Sequence, residues 1–414
     1  MTAVLARVTE TGGREATTRR IPPKLALAVG MPSTSPPKGW QWSALTSLAR
    51  LESGHTPSRQ HPEYWGGSIP WLGIADAKAH DGQRIDDTLE HTNELGIENS
   101  SARVLPANTV CLSRTASVGY VVVMGRPMAT SQDFVNWVCS PNLDHNFLKY
   151  LFIAEGDDLL RFSSGAVHQT IYFPEVKAFY ICHPPLPDQQ RIVSNLDQAL
   201  DDIATAKSNA EKNLQNGRAL YESYLHSIFT HRGPGWMDVP LGELCDILDS
   251  ERKPITKRDR ISGEIPYYGA TGIQDYVDGF IFDEPLVLVG EDGAKWGAGE
   301  RTAFAVSGKC WVNNHAHVLR PRRRALLDYW LISFLNHSDL KEFVSGLTVP
   351  KLNQGNLREI PIPLPPLKIQ KTLANNAETL ELETQRLESI YRQKLTALDV
   401  LRKSLLHQAF SGQL

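Results

Sequence analysis

Two short stretches decide how the chain is organised: "PPLPDQQRI" at 184–192 and "PPLKIQKTL" at 365–373. Each follows an aliphatic run typical of a β-strand and opens a long segment with helical periodicity. Proline is favoured at a helix start because its missing N–H would have no intrahelical partner there. The sequence therefore predicts one strand-to-helix joint that is built twice.

The joints are part of a longer internal repeat. Residues 165–186 align without a gap with residues 346–367, at an offset of 181. Further towards the N-terminus, "SIPWLG" (68–73) falls on "EIPYYG" (264–269) at an offset of 196, so the second copy is 15 residues shorter. Such self-similarity predicts a duplicated unit, a globular domain followed by a long helix. The alternative is two generic α/β domains with coincidental Pro-Leu turns.

Composition places the chain among soluble globular proteins. It has 414 residues, of which 41% are hydrophobic and 21% charged, enough for two or three domains. Its apolar runs are shorter than the roughly 18 residues that a membrane span needs, so no membrane partner is expected. Five widely spaced cysteines without a CxxC pair predict reduced, buried thiols in a cytoplasmic protein.

The globular part of each repeat contains short β-runs, Gly/Asn/Ser loops and one amphipathic helix. This pattern predicts α+β domains with a strongly twisted sheet. The predicted boundaries are 1–38 for a flexible N-terminal extension, 39–184 and 236–364 for the globular domains, 185–231 and 365–410 for the long helices, and 411–414 for a C-terminal tail. For the extension, a misassigned start before Met31 is the alternative.

The two long helices carry apolar residues at steps that are mostly three or four, the heptad signature of a coiled coil. Because they are near copies, we expect them to pack antiparallel as a rod of roughly 65 Å, with the globular domains at opposite ends. The alternative is that each helix folds flat onto its own domain. The predicted packing residues are Ile192, Leu196, Ile203, Leu214, Tyr221, Ile228, Leu373, Leu380, Leu387, Leu398 and Leu405.

Catalytic motifs are missing from both globular domains. The sequence has no GxxxxGK[ST] phosphate loop, no glycine-rich adenosylmethionine motif paired with Asn-Pro-Pro-aromatic, and no HExxH or His/Cys cluster. We therefore predict a non-catalytic chain with neither a cofactor nor a metal of its own.

Polar and cationic loops recur instead at corresponding places in the two domains. Their side chains are of the kinds that read base edges and hold phosphates, which favours DNA binding. For any single loop, the alternative is a solvated surface turn. The predicted DNA-binding residues are Arg59, Gln60, Ser113, Arg114, Thr130, Gln132, Lys253, Lys295, Asn313, Asn314 and His315.

Together these motifs resemble one family, the specificity subunits of type I restriction–modification systems. The resemblance covers about 39–414 and is carried by the "IPWLG"/"IPYYG" pair, by "TVPKLNQGNLREIPIPLPPL" (348–367), by the twin joints and by the closing "SLLHQAFSGQL" (404–414). It implies two target-recognition domains that each read half of a bipartite double-stranded DNA sequence.

The same resemblance implies the partners. The paired helices would set the spacing between half-sites, at most about 20 base pairs for such a rod, and would dock two methyltransferase subunits. An ATP-dependent restriction subunit would complete the complex, so S-adenosylmethionine, ATP and Mg²⁺ are expected on the partner subunits.

The first repeat departs from the family pattern because it lacks the "PKLNQ" of 350–354. A DNA-facing role for residues 351–354 would therefore carry over only weakly to 170–173. Two other classes remain open from the residues alone: a stand-alone DNA-binding module, and a scaffold that links two proteins without binding DNA.

Overall fold

The computed structural model describes residues 36–115, 117–165, 169–346 and 348–414, so nearly all of the predicted extension over 1–38 lies outside the described residues. The chain forms two compact units. The first contains residues up to Ser208 together with 395–414, and the second contains 209–394. Each long helix is therefore shared between the units rather than forming a separate body.

The first unit is an α+β domain with a five-stranded sheet of order β2-β9-β6-β7-β4, a three-stranded sheet β5-β3-β8 and the pair β1-β10. Its elements are β1 (Gln41–Ala44), α1 (Leu45–Leu48), β2 (Ala49–Ser53), β3 (Trp65–Leu72), α2 (Ile74–Ala79), β4 (Arg84–Ile85), β5 (Glu90–Thr92), α3 (Glu94–Glu98), β6 (Val110–Ser113), β7 (Val121–Met124), β8 (Ala129–Thr130), β9 (Phe134–Cys139), α4 (His145–Glu155), α5 (Phe173–Lys177), β10 (Tyr180–His183) and the first part of α6 (Leu186–Thr230).

The second unit repeats this plan with two four-stranded sheets, β12-β19-β16-β17 and β14-β13-β18-β15, and the pair β11-β20. Its elements are the remainder of α6, then β11 (Met237–Pro240), α7 (Leu241–Leu244), β12 (Cys245–Ile247), β13 (Ser262–Gly269), β14 (Gly272–Val277), β15 (Phe282–Asp283), β16 (Leu286–Gly290), β17 (Ala303–Val306), β18 (Lys309–Val312), β19 (Ala316–Pro321), α8 (Asp328–His337), α9 (Gln354–Glu359), β20 (Pro361–Leu364) and most of α10 (Leu367–Phe410).

The repeat seen in the sequence is confirmed by strand register. Trp71 in β3 pairs in parallel with Ala129, and Tyr267 in β13 pairs in parallel with Trp311. Trp71 and Tyr267 are the residues that the offset of 196 aligns. The "IPWLG" and "IPYYG" segments are therefore the same strand in the two units.

Each joint is fixed by one buried glutamine. The amide of Gln189 accepts from the backbone N–H of Asp144 (2.9 Å) and donates to the carbonyl oxygens of Asn142 (3.2 Å) and Pro184 (2.9 Å). Asp144 is the N-cap of α4, because its carboxylate accepts from the first backbone N–H groups of that helix. The glutamine thus ties the start of the long helix to the start of the amphipathic helix.

The second joint reproduces the first contact by contact. Gln370 accepts from the N–H of Leu327 (3.1 Å), which precedes α8, and donates to the carbonyl oxygens of Ala325 (2.7 Å) and Pro365 (2.9 Å). Both glutamines are fully buried. A buried amide must be hydrogen-bonded to be tolerated, and here both its oxygen and its nitrogen are.

Within each unit the two long helices run antiparallel. In the first unit Ile192 and Leu196, near the start of α6, share a core with Leu406 and Phe410 at the end of α10. In the second unit the end of α6 packs with the start of α10, where Ile228 and Ala377 share a core. The antiparallel pairing is confirmed in both units.

The end of each long helix also packs onto a globular part, but onto that of the other repeat rather than onto its own domain as the alternative had it. The ring of Phe410 lies 5.1 Å from that of Phe147 in α4, and the ring of Phe229 lies 5.1 Å from that of Trp330 in α8. In each unit the amphipathic helix therefore receives the end of the long helix that belongs to the other repeat.

One predicted packing residue is wrong. Leu387 is 43% exposed, and the buried positions near it are Thr384 and the half-buried Glu388, which pairs with Arg218. One residue along a helix is a rotation of about 100°, enough to turn a leucine out of a seam. The other predicted packing residues are buried or half-buried: Ile192, Leu196, Ile203, Leu214, Tyr221, Ile228, Leu373, Leu380, Leu398 and Leu405.

All five cysteines lie in the described part of the chain and are free, four of them buried and Cys139 half-buried. Burial raises the pKa of the Cys139 and Cys245 thiols to about 12. The thiols are therefore structural, as the sequence predicted. Over the described residues, no helix combines the length and the apolar character that crossing a bilayer requires.

Candidate nucleic-acid interface

In the first unit, Arg59 stands on a platform of tryptophans. Its guanidinium lies 3.9 Å from the centre of the Trp65 ring and 5.1 Å from that of Trp71, and it pairs with both carboxylate oxygens of Glu90 (2.5 and 2.7 Å). The hydrogen bond from Arg59 lowers the pKa of Glu90. About half of the Arg59 side chain stays exposed beside the exposed Gln60. The guanidinium is thus held in one orientation, with its Nη1–Nη2 edge already engaged by Glu90.

The other loops predicted for the first domain meet close together. Gly54 approaches Ser131 so closely that a Cβ on it would lie 1.8 Å from the Ser131 carbonyl oxygen. The exposed Gln132 accepts a hydrogen bond from Thr56, and its own carbonyl oxygen accepts from Arg114 at 3.0 Å. Loops 53–57 and 128–134 therefore form one surface together with Arg114.

Arg114 is half-buried in that surface. Its guanidinium lies 5.0 Å from the centre of the Phe173 ring, and burial lowers its pKa although the charge of Asp133 acts in the opposite direction. Its Nε is buried without a hydrogen-bond partner in the protein. A buried donor of this kind is costly to leave unpaired.

Three predicted DNA contacts are contradicted by burial. Ser113 is fully buried, donates to the Ser117 carbonyl oxygen (2.5 Å) and accepts from the N–H of Tyr120 (2.8 Å). Thr130 is buried and accepts from Asn136 at 2.8 Å. These side chains shape the loops from inside.

Asn313 is the third of them. It is buried, donates to Gln274 (3.0 Å) and accepts from the N–H of His315 (2.8 Å). These two hydrogen bonds hold its own turn in place, so the neighbouring Asn314 is exposed while Asn313 is not.

The second unit presents its own exposed cations and polar groups. Lys253, Lys295 and Asn314 are exposed, and the exposed His315 faces the carboxylate of Asp292. Lys295 lies 3.6 Å from Glu300, with 78% of its side chain exposed. A contact of either lysine with phosphate would therefore meet little steric hindrance.

Sequence reasoning passed over two further exposed cations in the same loop as Lys253. Lys257 and Arg258 are both exposed, Arg258 with 91% of its side chain. Their signal was the basic run "KPITKRDR" at 253–260. A second basic run, "RPRRR" at 320–324, is mostly engaged internally, since Arg320, Arg322 and Arg323 pair with Glu284, Asp246 and Asp328.

Asp249, Glu291 and His317 bring three metal-ligating atoms within 4.8 Å of one another, the one such group among the described residues. The carboxylate oxygens of Asp249 and Glu291 are already engaged by other side chains, however. Glu291 pairs with Arg252 (2.5 Å) and Lys351 (2.8 Å), and Asp249 accepts from His317 at 2.6 Å. The geometry is that of an internal ion network rather than a metal site.

Comparison with known proteins agrees with this architecture. The family described as "Type I restriction modification DNA specificity domain" matches residues 37–214 and again 234–396. The chain belongs to this family and carries two copies of its DNA specificity domain. It is therefore a component of a type I restriction–modification system that acts with DNA and with other subunits of that system.

Individual relatives support the same assignment. The chain is 22% identical to the type I restriction enzyme MjaIX specificity subunit of Methanocaldococcus jannaschii, over 91% of this chain and 94% of that one. It is 24% identical to the EcoprrI specificity subunit of Escherichia coli, over 86% and 90%. A match to the putative specificity subunit S.HindORF215P of Haemophilus influenzae is 37% identical but spans only 40% of this chain and 47% of the relative.

Two solved structures share the fold. One is the HsdS subunit from Thermoanaerobacter tengcongensis, with a TM-score of 0.63 and 20% identity over 92% of this chain and 99% of that one. The other comes from a study of complex assembly and conformational transition of the type I R-M system, with a TM-score of 0.71 and 19% identity over 92% and 100%. The α+β fold with two long helices is thus shared with both.

Proposed function

We propose that each globular domain reads one half of a bipartite DNA target and that the chain itself catalyses no reaction. The observation that carries this proposal is the repetition of one plan in two units, each with exposed polar and cationic side chains on its loops. Two separate reading surfaces on one chain suit a target made of two separate half-sites.

The long helices would set the spacing of the half-sites and dock two methyltransferase subunits. Two identical partners need two equivalent surfaces, and a duplicated joint supplies them on one chain. S-adenosylmethionine would enter with the methyltransferase subunits, and ATP and Mg²⁺ with a restriction subunit. The target adenine would be flipped into a methyltransferase pocket.

The proposed DNA contacts are the predicted residues that stay accessible, together with the basic pair in the second unit. Pre-ordered Arg59 is assigned to base reading, and the exposed Lys257 and Arg258 to phosphates. The complete set is Arg59, Gln60, Arg114, Gln132, Lys253, Lys257, Arg258, Lys295, Asn314 and His315.

The direct test is sequencing of adenine methylation in cells with the gene intact and deleted. We expect a split motif of two short half-sites that disappears on deletion. Replacing residues 236–364 by the second domain of a relative should then change one half-site and leave the other. Unchanged methylation after deletion would refute the proposal and favour a scaffold without a DNA role.

The residue assignments have a separate test in the assembled complex. Arg59→Ala should cost about 1–3 kcal/mol and relax the preference at one base position, whereas Arg258→Ala should weaken all duplexes alike and reduce the salt dependence of binding. Binding titrations on a set of single-base variants distinguish these outcomes. A uniform loss for Arg59→Ala would move that residue to the phosphate class.

A further inference from the structure

The ion network of the second unit is built from four separate segments. Asp249 accepts from His317 (2.6 Å) and Gln354 (3.1 Å) through Oδ2 and from the backbone N–H of Val318 (2.9 Å) through Oδ1. Glu291 receives Arg252 on one oxygen and Lys351 on the other. The contacts join a recognition loop, strand ends and the "PKLNQ" motif (350–354).

His317 lies at the centre of the network and has no exposed surface. Its Nδ1 faces the Asp249 carboxylate, and its Nε2 lies 2.7 Å from the Leu352 carbonyl oxygen. Carboxylate and carbonyl oxygens only accept hydrogen bonds, so both ring nitrogens of His317 face acceptors. The core of this unit therefore contains a histidine held between two segments.

Both carboxylates of the network are ionised. Burial alone would raise their pKa values, but the hydrogen bond from His317 holds the pKa of Asp249 below its usual range. Hydrogen bonds from Lys351 and Arg252 do the same for the pKa of Glu291. Removing one charged side chain from this network leaves the charges of its partners unpaired.

The network holds one end of a basic arm, residues 252–260. At that end Arg252 donates to Glu291 and to the Ala316 carbonyl oxygen (2.8 Å). At the other end Arg260 lies 4.3 Å from the centre of the Tyr267 ring and 3.0 Å from a carboxylate oxygen of Asp275. The exposed Lys253, Lys257 and Arg258 lie between the two fixed ends.

The first unit has the same backbone contact without the ions. The N–H of Ile171 donates to the Arg114 carbonyl oxygen at 2.8 Å, just as the N–H of Leu352 donates to that of Glu291 at 2.9 Å. By this backbone contact, Arg114 in the first unit is the counterpart of Glu291 in the second unit. By the offset of 181, Thr170 and Phe173 stand where Lys351 and Gln354 stand.

The ionic network is thus a device of the second unit. In the first unit a threonine hydroxyl pair at 2.7 Å (Thr115 with Thr170) and an arginine stacked on Phe173 occupy the places that Glu291, Lys351 and Gln354 occupy in the second unit. We propose that Asp249, Glu291, His317 and the Lys351–Gln354 motif are positioning residues that hold the basic arm for reading the second DNA half-site. This inference rests on the proposed function, because it assumes that the second unit reads one half-site.

The test uses the assembled complex of this chain with its methyltransferase subunits and three duplexes: cognate, first half-site scrambled and second half-site scrambled. The variants are Glu291→Gln, which keeps shape but removes the shared charge, and the milder Lys351→Met. The matched control is Lys341→Met, an exposed lysine of the same unit whose nearest carboxylate is that of Asp339. Melting temperature is measured alongside.

We expect both network variants to lower the preference for the second half-site about tenfold. The preference for the first half-site should stay at its wild-type value, as both preferences should in the control. Equal loss at both half-sites, or unchanged preferences, overturns the inference. A wild-type complex that discriminates neither half-site refutes the proposed function itself, and the inference with it.

Discussion

Replacing Gln189 by leucine tests the joint directly. Leucine fits the volume but leaves the backbone N–H of the half-buried Asp144 without its partner. The carbonyl oxygen of the exposed Asn142 can accept a hydrogen bond from water instead of from Gln189. The Pro184 carbonyl oxygen retains its contact with the His183 ring at 3.1 Å. The orphaned N–H therefore dominates, at about 1–3 kcal/mol. We expect a net loss of about 2 kcal/mol in local stability at the start of α4.

Hydrogen exchange measures this loss where it arises. About 2 kcal/mol corresponds to roughly thirtyfold faster exchange of the amides that open with the N-terminus of α4. Gln198→Leu is the matched control, because Gln198 is exposed on the same helix and donates only to Asp202 (3.2 Å). Equal exchange in the two variants would show that the amide does not hold the joint.

Three further predictions concern the seam, pH and the thiols. Ile192→Ala should cost about 2–4 kcal/mol in urea unfolding, because the side chain is fully buried, whereas Leu387→Gln should stay within about 0.5 kcal/mol; a large loss for Leu387→Gln would restore it to the seam. Because folding lowers the pKa of Glu291, its ionised carboxylate stabilises the folded second unit at pH values above the usual carboxyl range. This stabilisation should be lost as the pH falls through the lowered pKa. Glu291→Gln should flatten that part of the pH profile of hydrogen exchange. Cys245, which is buried and whose pKa burial raises to about 12, should resist iodoacetamide at pH 8 until urea is added, and rapid native alkylation would contradict its burial.

The repeat and the joints could be predicted because they follow from local sequence and register. The role of the joint glutamines could not. Gln189 and Gln370 lie three residues before Ile192 and Leu373 and so continue the seam spacing, but the sequence does not show which groups surround a polar side chain there. Only the fold places backbone groups next to the amphipathic helix around them. Local pattern identifies the element, and tertiary packing decides which of its polar residues is buried.

The loops that carry the proposed DNA contacts were predictable, but the exposure of their individual side chains was not. Ser113, Thr130 and Asn313 have the same donor chemistry as their exposed neighbours, and their burial depends on how each loop turns. Leu387 failed for a related reason, because a step of three and a step of four fit the same apolar spacing but face different directions. The basic pair at 257–258 was visible in the sequence, but its exposure was not.

The contacts explain why the two joints and helix tails resemble each other while the loops do not. The end of each long helix packs on the amphipathic helix of the other repeat, as Phe410 does on Phe147 and Phe229 on Trp330. A change in one helix tail must therefore suit a surface supplied by the other copy. Loops 53–67 and 249–260 carry few such obligations at their tips, where side chains face solvent. Under the proposed function, a change of DNA specificity therefore requires changes in the loops only, while the joints keep the scaffold that presents them.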